Sequence, residues 1–239
     1  MSSSIQTIPL LNLAIAFIPV IVVIVIIGKW QLGYKSSIYA VCRMLIQLLL
    51  IGYFLTYIFK TESALLVVAV LTVMLFSASW IALRTLSIPR KILYGKSFFA
   101  IFLGGGFILI LMSQAVLNLT PWYLPSYTIP LAGMIFANSM NSISLAGERI
   151  EAEMGRAVPY QKARSIALKA SLIPITNSLL AVGLVSLPGM MTGQILSGVS
   201  PLIAARYQIM VMCMIFGSAG LSAAIFLTLI KNNLEEHKH

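Results

Sequence analysis

Only six acidic side chains occur in 239 residues, and every one is a glutamate. They stand at Glu62, Glu148, Glu151, Glu153, Glu235 and Glu236, none in the middle of a long apolar run. That leaves no paired carboxylates for acid–base chemistry, and no ionisable relay at membrane depth of the kind proton-driven carriers use. A sodium site made of backbone and amide oxygens stays open, so secondary transport is weakened and not excluded. Histidine is confined to His237 and His239, which leaves no catalytic triad and no HExxH motif. The two cysteines, Cys42 and Cys213, lie in apolar runs without a CxxC partner and read as small packing residues. Gly95-Lys96-Ser97 looks like the end of a phosphate-binding loop. The glycine that should open such a loop is replaced by Arg90, and the preceding residues do not read as a strand. No catalytic residue and no ATP site are expected in this chain.

Charge of either sign is scarce. Charged residues make up 9% of the chain and hydrophobic ones 59%, with a mean hydropathy of +0.98, whereas a soluble domain carries roughly 25% charged residues. So little polar surface cannot coat a globule, and lipid has to be the solvent for most of it. The net charge of +10 could point to nucleic acid. The basic residues, however, sit in short segments between apolar runs and form no face interleaved with aromatics, a distribution that sets membrane orientation instead.

A lipid-crossing helix needs about 20 mainly apolar residues. Seven runs qualify as candidates, at 8–27, 38–59, 64–83, 97–117, 127–147, 172–187 and 203–230. They predict an all-α polytopic transmembrane helical bundle, one domain over residues 1–239, with no β-barrel alternation. Residues 1–7 carry no positive side chain, so the first run reads as a retained helix and not a cleaved leader. With the N-terminus outside and the C-terminus inside, thirteen of the sixteen basic residues fall in inside segments, among them Lys29, Arg84, Arg149, Lys162 and Lys231. Lys60 falls outside, and Arg43 and Arg206 fall within spans. The outside segment 118–126 suits a headgroup interface, since Pro121 and Pro125 break helix and Trp122 and Tyr123 anchor.

Polar residues inside spans tend to face a bundle interior. Arg43 and Gln47 share a face of the second span, where anchoring to headgroups and lining a pathway are both open. Asn138, Asn141, Ser142 and Leu145 share a side of the fifth span, and Asn177 and Ser178 enter the sixth; packing glue and a substrate-facing role compete there. Met210, Cys213 and Met214 could face one soft metal ion, but adaptable packing is the preferred reading. The outside block 183–198, with Pro188, Gly189, Met190, Met191 and Gly193, suits a broken or re-entrant gating element.

Residues 148–171 are the one sizeable polar stretch. After Pro159 a short amphipathic helix is expected, with Gln161, Lys162, Ser165 and Lys169 on one arc and Ala163, Ile166, Ala167 and Ala170 opposite. Pro174 is expected to mark a break or kink between this helix and the sixth span. From the residues alone, a passive interfacial helix and a coupling helix seated on a separate ATPase are equally good readings.

Glu151-Ala-Glu-Met-Gly155, then Gln161-Lys-Ala-Arg and Ile173-Pro174, resemble the Glu-Ala-Ala…Gly loop of ABC importer-type permeases. More specifically, the chain resembles the UPF0014 (FetB-type) family of ABC transporter permeases. The resemblance runs over residues 36–230, through Arg43-Met-Leu-Ile-Gln47, Ile129-Pro-Leu-Ala-Gly-Met134, Asn138-Ser-Met and Leu187-Pro-Gly-Met-Met-Thr-Gly193. It implies a permease homodimer in the bacterial inner membrane, with no cofactor of its own. It also implies a FetA-type ATPase partner carrying ATP and Mg, and export of iron tied to oxidative-stress resistance. Plant relatives are linked to aluminium tolerance and to a sugar nucleotide. The resemblance assigns coupling to Glu151, Gly155, Pro159, Lys162 and Lys169. The departure is Glu153-Met154, where relatives tend to carry small residues. Iron chemistry sits awkwardly with spans that offer only amides, hydroxyls and thioethers: iron crosses as a complex, or meets backbone carbonyls, or another substrate is carried. A stand-alone carrier or channel, and a membrane scaffold or sensor, are the competing functional classes.

Overall fold

The computed structural model describes residues 8–58 and 63–236. Lys60, Glu62, Lys238 and the two histidines lie outside the described residues. The described chain is all-α, and its only extended pairing is an isolated bridge between Val182 and Ser186. The helices fall into two compact units, Met1–Thr61 and Glu62–His239.

The first unit holds α1 (Leu10–Ile15), α2 (Ile18–Lys29) and α3 (Tyr34–Ile58). Pro19 has no N–H to offer the carbonyl four residues back, which accounts for the short interruption between α1 and α2. Together they make an apolar stretch of 20 residues, Leu10–Lys29. Gln31 at φ 57° and Gly33 at φ 80° turn the chain, so that α2 and α3 pack as a hairpin. Its apolar side chains are almost all exposed, as befits helices whose solvent is lipid.

The second unit contains α4 (Ala64–Ala82), α5 (Arg90–Ile110), α6 (Pro125–Gly155), α7 (Tyr160–Ala181), α8 (Gly189–Leu196), α9 (Pro201–Leu229) and α10 (Lys231–Glu236). Prolines open five of them: Pro89, Pro159 and Pro188 cap α5, α7 and α8, and Pro125 and Pro201 begin α6 and α9. Proline's fixed φ is pre-organised for a helix start, where its missing N–H is no loss. The last turns of α5 widen into a π-helix over Leu111–Val116. α6 and α9 form the central pair; α4, α5 and α7 pack on α6, and α5, α7 and α8 on α9.

The α5–α6–α9 crossing is built from small residues. A Cβ on Gly104 would stand 2.7 Å from the Ser222 backbone nitrogen, and one on Gly105 3.0 Å from Ile135 Cγ2. At this crossing Ser222 Oγ donates to Ser139 Oγ at 3.0 Å, and Ser139 Oγ donates to the Ser218 carbonyl at 3.2 Å. Lipid gives helices no hydrophobic drive to associate, so close backbone approach and interhelical hydrogen bonds hold this crossing.

Among the described residues six helical stretches, α1 and α2 together counting as one, are long and apolar enough to cross a membrane, and α7 is not one of them. The expected short coupling helix and residues 172–181 of the expected sixth span are one continuous helix, Tyr160–Ala181, which runs through Pro174 without a break, and residues 182–187 leave it for the turn bridged by Val182 and Ser186. The reason is a stripe of buried residues every fourth position, Ala163, Ala167, Ser171 and Ile175, that spans both segments and packs on α6 and α9. Interior proline removes one helix bond, a loss that packing along the whole stripe outweighs. Tyr160 meets the end of α9 at Leu227, whereas Leu172 lies near Gly220, so α7 runs back antiparallel to α9. The polar residues of its first turns make it too charged to register as an apolar run.

Candidate functional site

One end of the second unit gathers most of its charge. The α4–α5 connection, the α6–α7 elbow and the end of α9 with α10 meet there, tied by contacts among residues 82–96, 144–160 and 227–233. Arg84, Lys91, Arg156, Lys162, Arg164, Lys169 and Lys231 are exposed at or near this end. Arg90 lies over the Trp80 ring at 5.5 Å and Lys231 over the Tyr160 ring at 5.9 Å. Lys96 donates to Asn233 and the Tyr160 hydroxyl to the Leu227 carbonyl, which fastens α5 and α7 to the α9–α10 corner.

Three residues on one face of α6 hold the α4–α5 connection. Ser144 Oγ donates to the Ala82 carbonyl at 2.7 Å. Leu86 fills the notch left by Gly147, where a Cβ would come within 2.8 Å of Leu86 Cδ1. Glu151 then accepts two backbone N–H groups of the loop, Ser87 N–H at 2.9 Å and Ile88 N–H at 3.3 Å. Positions 144, 147 and 151 recur at helical spacing, so the latch is a property of a single helix face.

The other loop carboxylate is buried. Glu153 pairs with Arg149 at 2.7 Å, one turn back, and with Arg156 at 3.8 Å. Its carbonyl accepts from Arg156 N–H and Val158 N–H, and Ala157, at φ 61°, closes the elbow in a Schellman-type turn. The left-handed position thus belongs to Ala157, and Gly155 is an ordinary helical residue with nothing within 4 Å of a would-be Cβ. Beyond Pro159, the expected polar arc of Gln161, Lys162, Ser165 and Lys169 is exposed, and Ala163 and Ala167 face the bundle.

The remaining expected residues are distributed over both units. Arg43 and Gln47 share a face of α3 in the first unit, Arg43 half-buried and Gln47 exposed. On α6, Asn138 is half-buried and donates within its own helix to the Met134 carbonyl at 2.8 Å, while Asn141 is exposed. Asn177 is exposed on α7. Met210 and Met214 are buried in the core and Cys213 is exposed. Among the described residues no three His, Cys, Asp or Glu side chains group as metal ligands. The 183–198 block is a turn at Gly183 (φ 82°), the eight-residue α8 opened by Pro188, and a second turn at Gly198 (φ 91°). α8 carries Gly189, Met190, Met191 and Gly193 and is too short to cross a bilayer.

Two features escaped the reading of the sequence: the inward face of α6 is its serine face, and Glu151 is engaged within the chain. The run Gly104-Gly105-Gly106 and the pair Ser218-xxx-Ser222 were the available signals for the first.

The chain matches the model of the uncharacterised protein family UPF0014 over residues 10–234. It is 37% identical over 214 residues to UPF0014 membrane protein slr1647 of Synechocystis, covering 82% of each chain. It is 34% identical over 244 residues to the probable iron export permease protein FetB of Escherichia coli, covering 95% of this chain and 93% of that one. It is 32% identical over 229 residues to the protein ALUMINUM SENSITIVE 3 of Arabidopsis thaliana, covering 88% and 81% respectively. No solved structure matches. A multi-pass bundle with this cationic end, similar along almost its whole length to these proteins, belongs to the UPF0014 family.

Proposed function

We propose that this chain is the permease subunit of an ABC-type exporter of iron or another metal, working as a pair in the bacterial inner membrane. Energy would come from Mg-ATP hydrolysed by a separate FetA-type ATPase. The supporting observation is the cationic end, where the α6–α7 elbow is closed by backbone hydrogen bonds and leaves Gly155, Pro159, Lys162 and Lys169 exposed. The similarity to FetB, a probable iron export permease, supports the substrate class, and the role of such an exporter would be in metal homeostasis and oxidative-stress resistance. Closure of the ATPases would push α6 and α7 through the elbow, and the amides of Asn138, Asn141 and Asn177, with Arg43 and Gln47, would line the path. The metal would cross with ligands of its own or against amide and carbonyl oxygens, since its donors along the spans are neutral.

The test is reconstitution with a FetA-type ATPase in liposomes. ATP hydrolysis stimulated by ferrous iron, together with ATP-dependent iron movement, is the expected result. Iron movement by the chain alone, without ATP or partner, would replace this reading with a stand-alone carrier.

A further inference from the structure

The latch on the α4–α5 connection has a consequence for how a partner would sit. Residues 83–89 carry Arg84 and continue into Arg90 and Lys91, and Glu151 holds them beside the α6–α7 elbow. Two of the carboxylates on the last turns of α6 are engaged within the chain: Glu153 pairs with two arginines, and Glu151 accepts backbone N–H groups and makes no ion pair among the described residues. Glu148 alone is left exposed on the last turns of α6. The two neighbouring loops therefore offer one continuous, strongly basic surface, whose complement is an acidic groove.

We propose that residues 83–89 are a second docking element for the acidic groove of the partner ATPase, and that Glu151 is the positioning residue that sets this element beside the elbow. The proposal rests on the function inferred above. Coupling by Glu151 is thus indirect. Its carboxylate is already spent on two N–H groups of its own chain, and charge-assisted hydrogen bonds of this kind are the strong ones. A partner touching the elbow would meet the 83–89 loop only while Glu151 holds that loop in place.

Site-directed cross-linking separates these statements. Cys42→Ala and Cys213→Ala remove the native thiols. Ser87→Cys, which keeps the backbone N–H that Glu151 receives, and Lys162→Cys each carry a photoreactive maleimide in complexes with a FetA-type ATPase. Both positions are expected to cross-link to the ATPase. Adding Glu151→Ala should lower the yield from position 87 at least about fivefold and leave position 162 within about twofold, because two hydrogen bonds to a charged group are lost at one loop only. Glu151→Gln, with a single acceptor oxygen, should fall between. Cross-linking at 162 but not at 87 would overturn the second docking element and spare the proposed function. No cross-linking at either would overturn both. Equal loss at 87 and 162, or capture of vesicle lipid in place of ATPase at 87, would overturn the positioning role or the choice of partner.

Discussion

Gly104 and Gly106 are two residues apart in one helix and make opposite demands. A methyl on Gly104 would meet backbone of α9 at 2.7 Å, whereas one on Gly106 meets open space. Gly104→Ala is expected to force α5 and α9 apart and lower stability by about 1–3 kcal/mol, the usual range for overpacking, while Gly106→Ala should be neutral or better. Thermal unfolding in detergent, followed by tryptophan fluorescence, checks both. Ala157 is the converse case. An L-residue in the left-handed region is strained by roughly 1–2 kcal/mol, so Ala157→Gly should raise the melting temperature of the purified chain. Gly155 has no steric or conformational reason within the chain to be glycine. Gly155→Leu should therefore leave the melting temperature unchanged and abolish co-purification of the ATPase; a drop in melting temperature with the partner still bound would assign Gly155 to folding.

At the scale of elements, the elbow and the α8 region should separate in their effects. The elbow depends on Glu153, whose removal leaves Arg149 and Arg156 without a partner; Glu153→Ala should weaken ATPase binding and transport together. Pro188 opens α8 far along the chain from the cationic end. Pro188→Leu should leave partner binding intact and abolish export, as measured by iron movement in proteoliposomes; normal export by this variant would remove α8 from gating. The helices were largely legible in the sequence, because apolar runs of membrane length and prolines at helix starts are local signals. The fusion of coupling helix and sixth span was not. It depends on Ala163, Ala167, Ser171 and Ile175 finding partners on α6 and α9, and local polarity argued for two segments. Nor could Glu151 be assigned from its spacing. Its partners, Ser87 and Ile88, lie more than sixty residues away and offer backbone groups that carry no side-chain signature. Asn138 and Asn141 drew attention as amides, yet Ser139 between them is the residue that meets α9, since a hydroxyl fits a close crossing where an amide does not.

For the molecule as a whole, the cationic end draws together three chain segments separated by long helices, each bringing basic side chains of its own. The positive-inside rule describes those charges one loop at a time; the fold makes them one surface on the second unit. Coupling to an ATPase requires that surface to face the cytoplasm, where ATP and the partner are. Its sidedness is tested most directly by labelling Lys162→Cys, in a background of Cys42→Ala and Cys213→Ala, with a membrane-impermeant maleimide. Labelling in inside-out vesicles and none in intact spheroplasts is the predicted result. Labelling of intact spheroplasts, with inside-out vesicles protected, would place the elbow on the wrong side and contradict ATPase coupling through it.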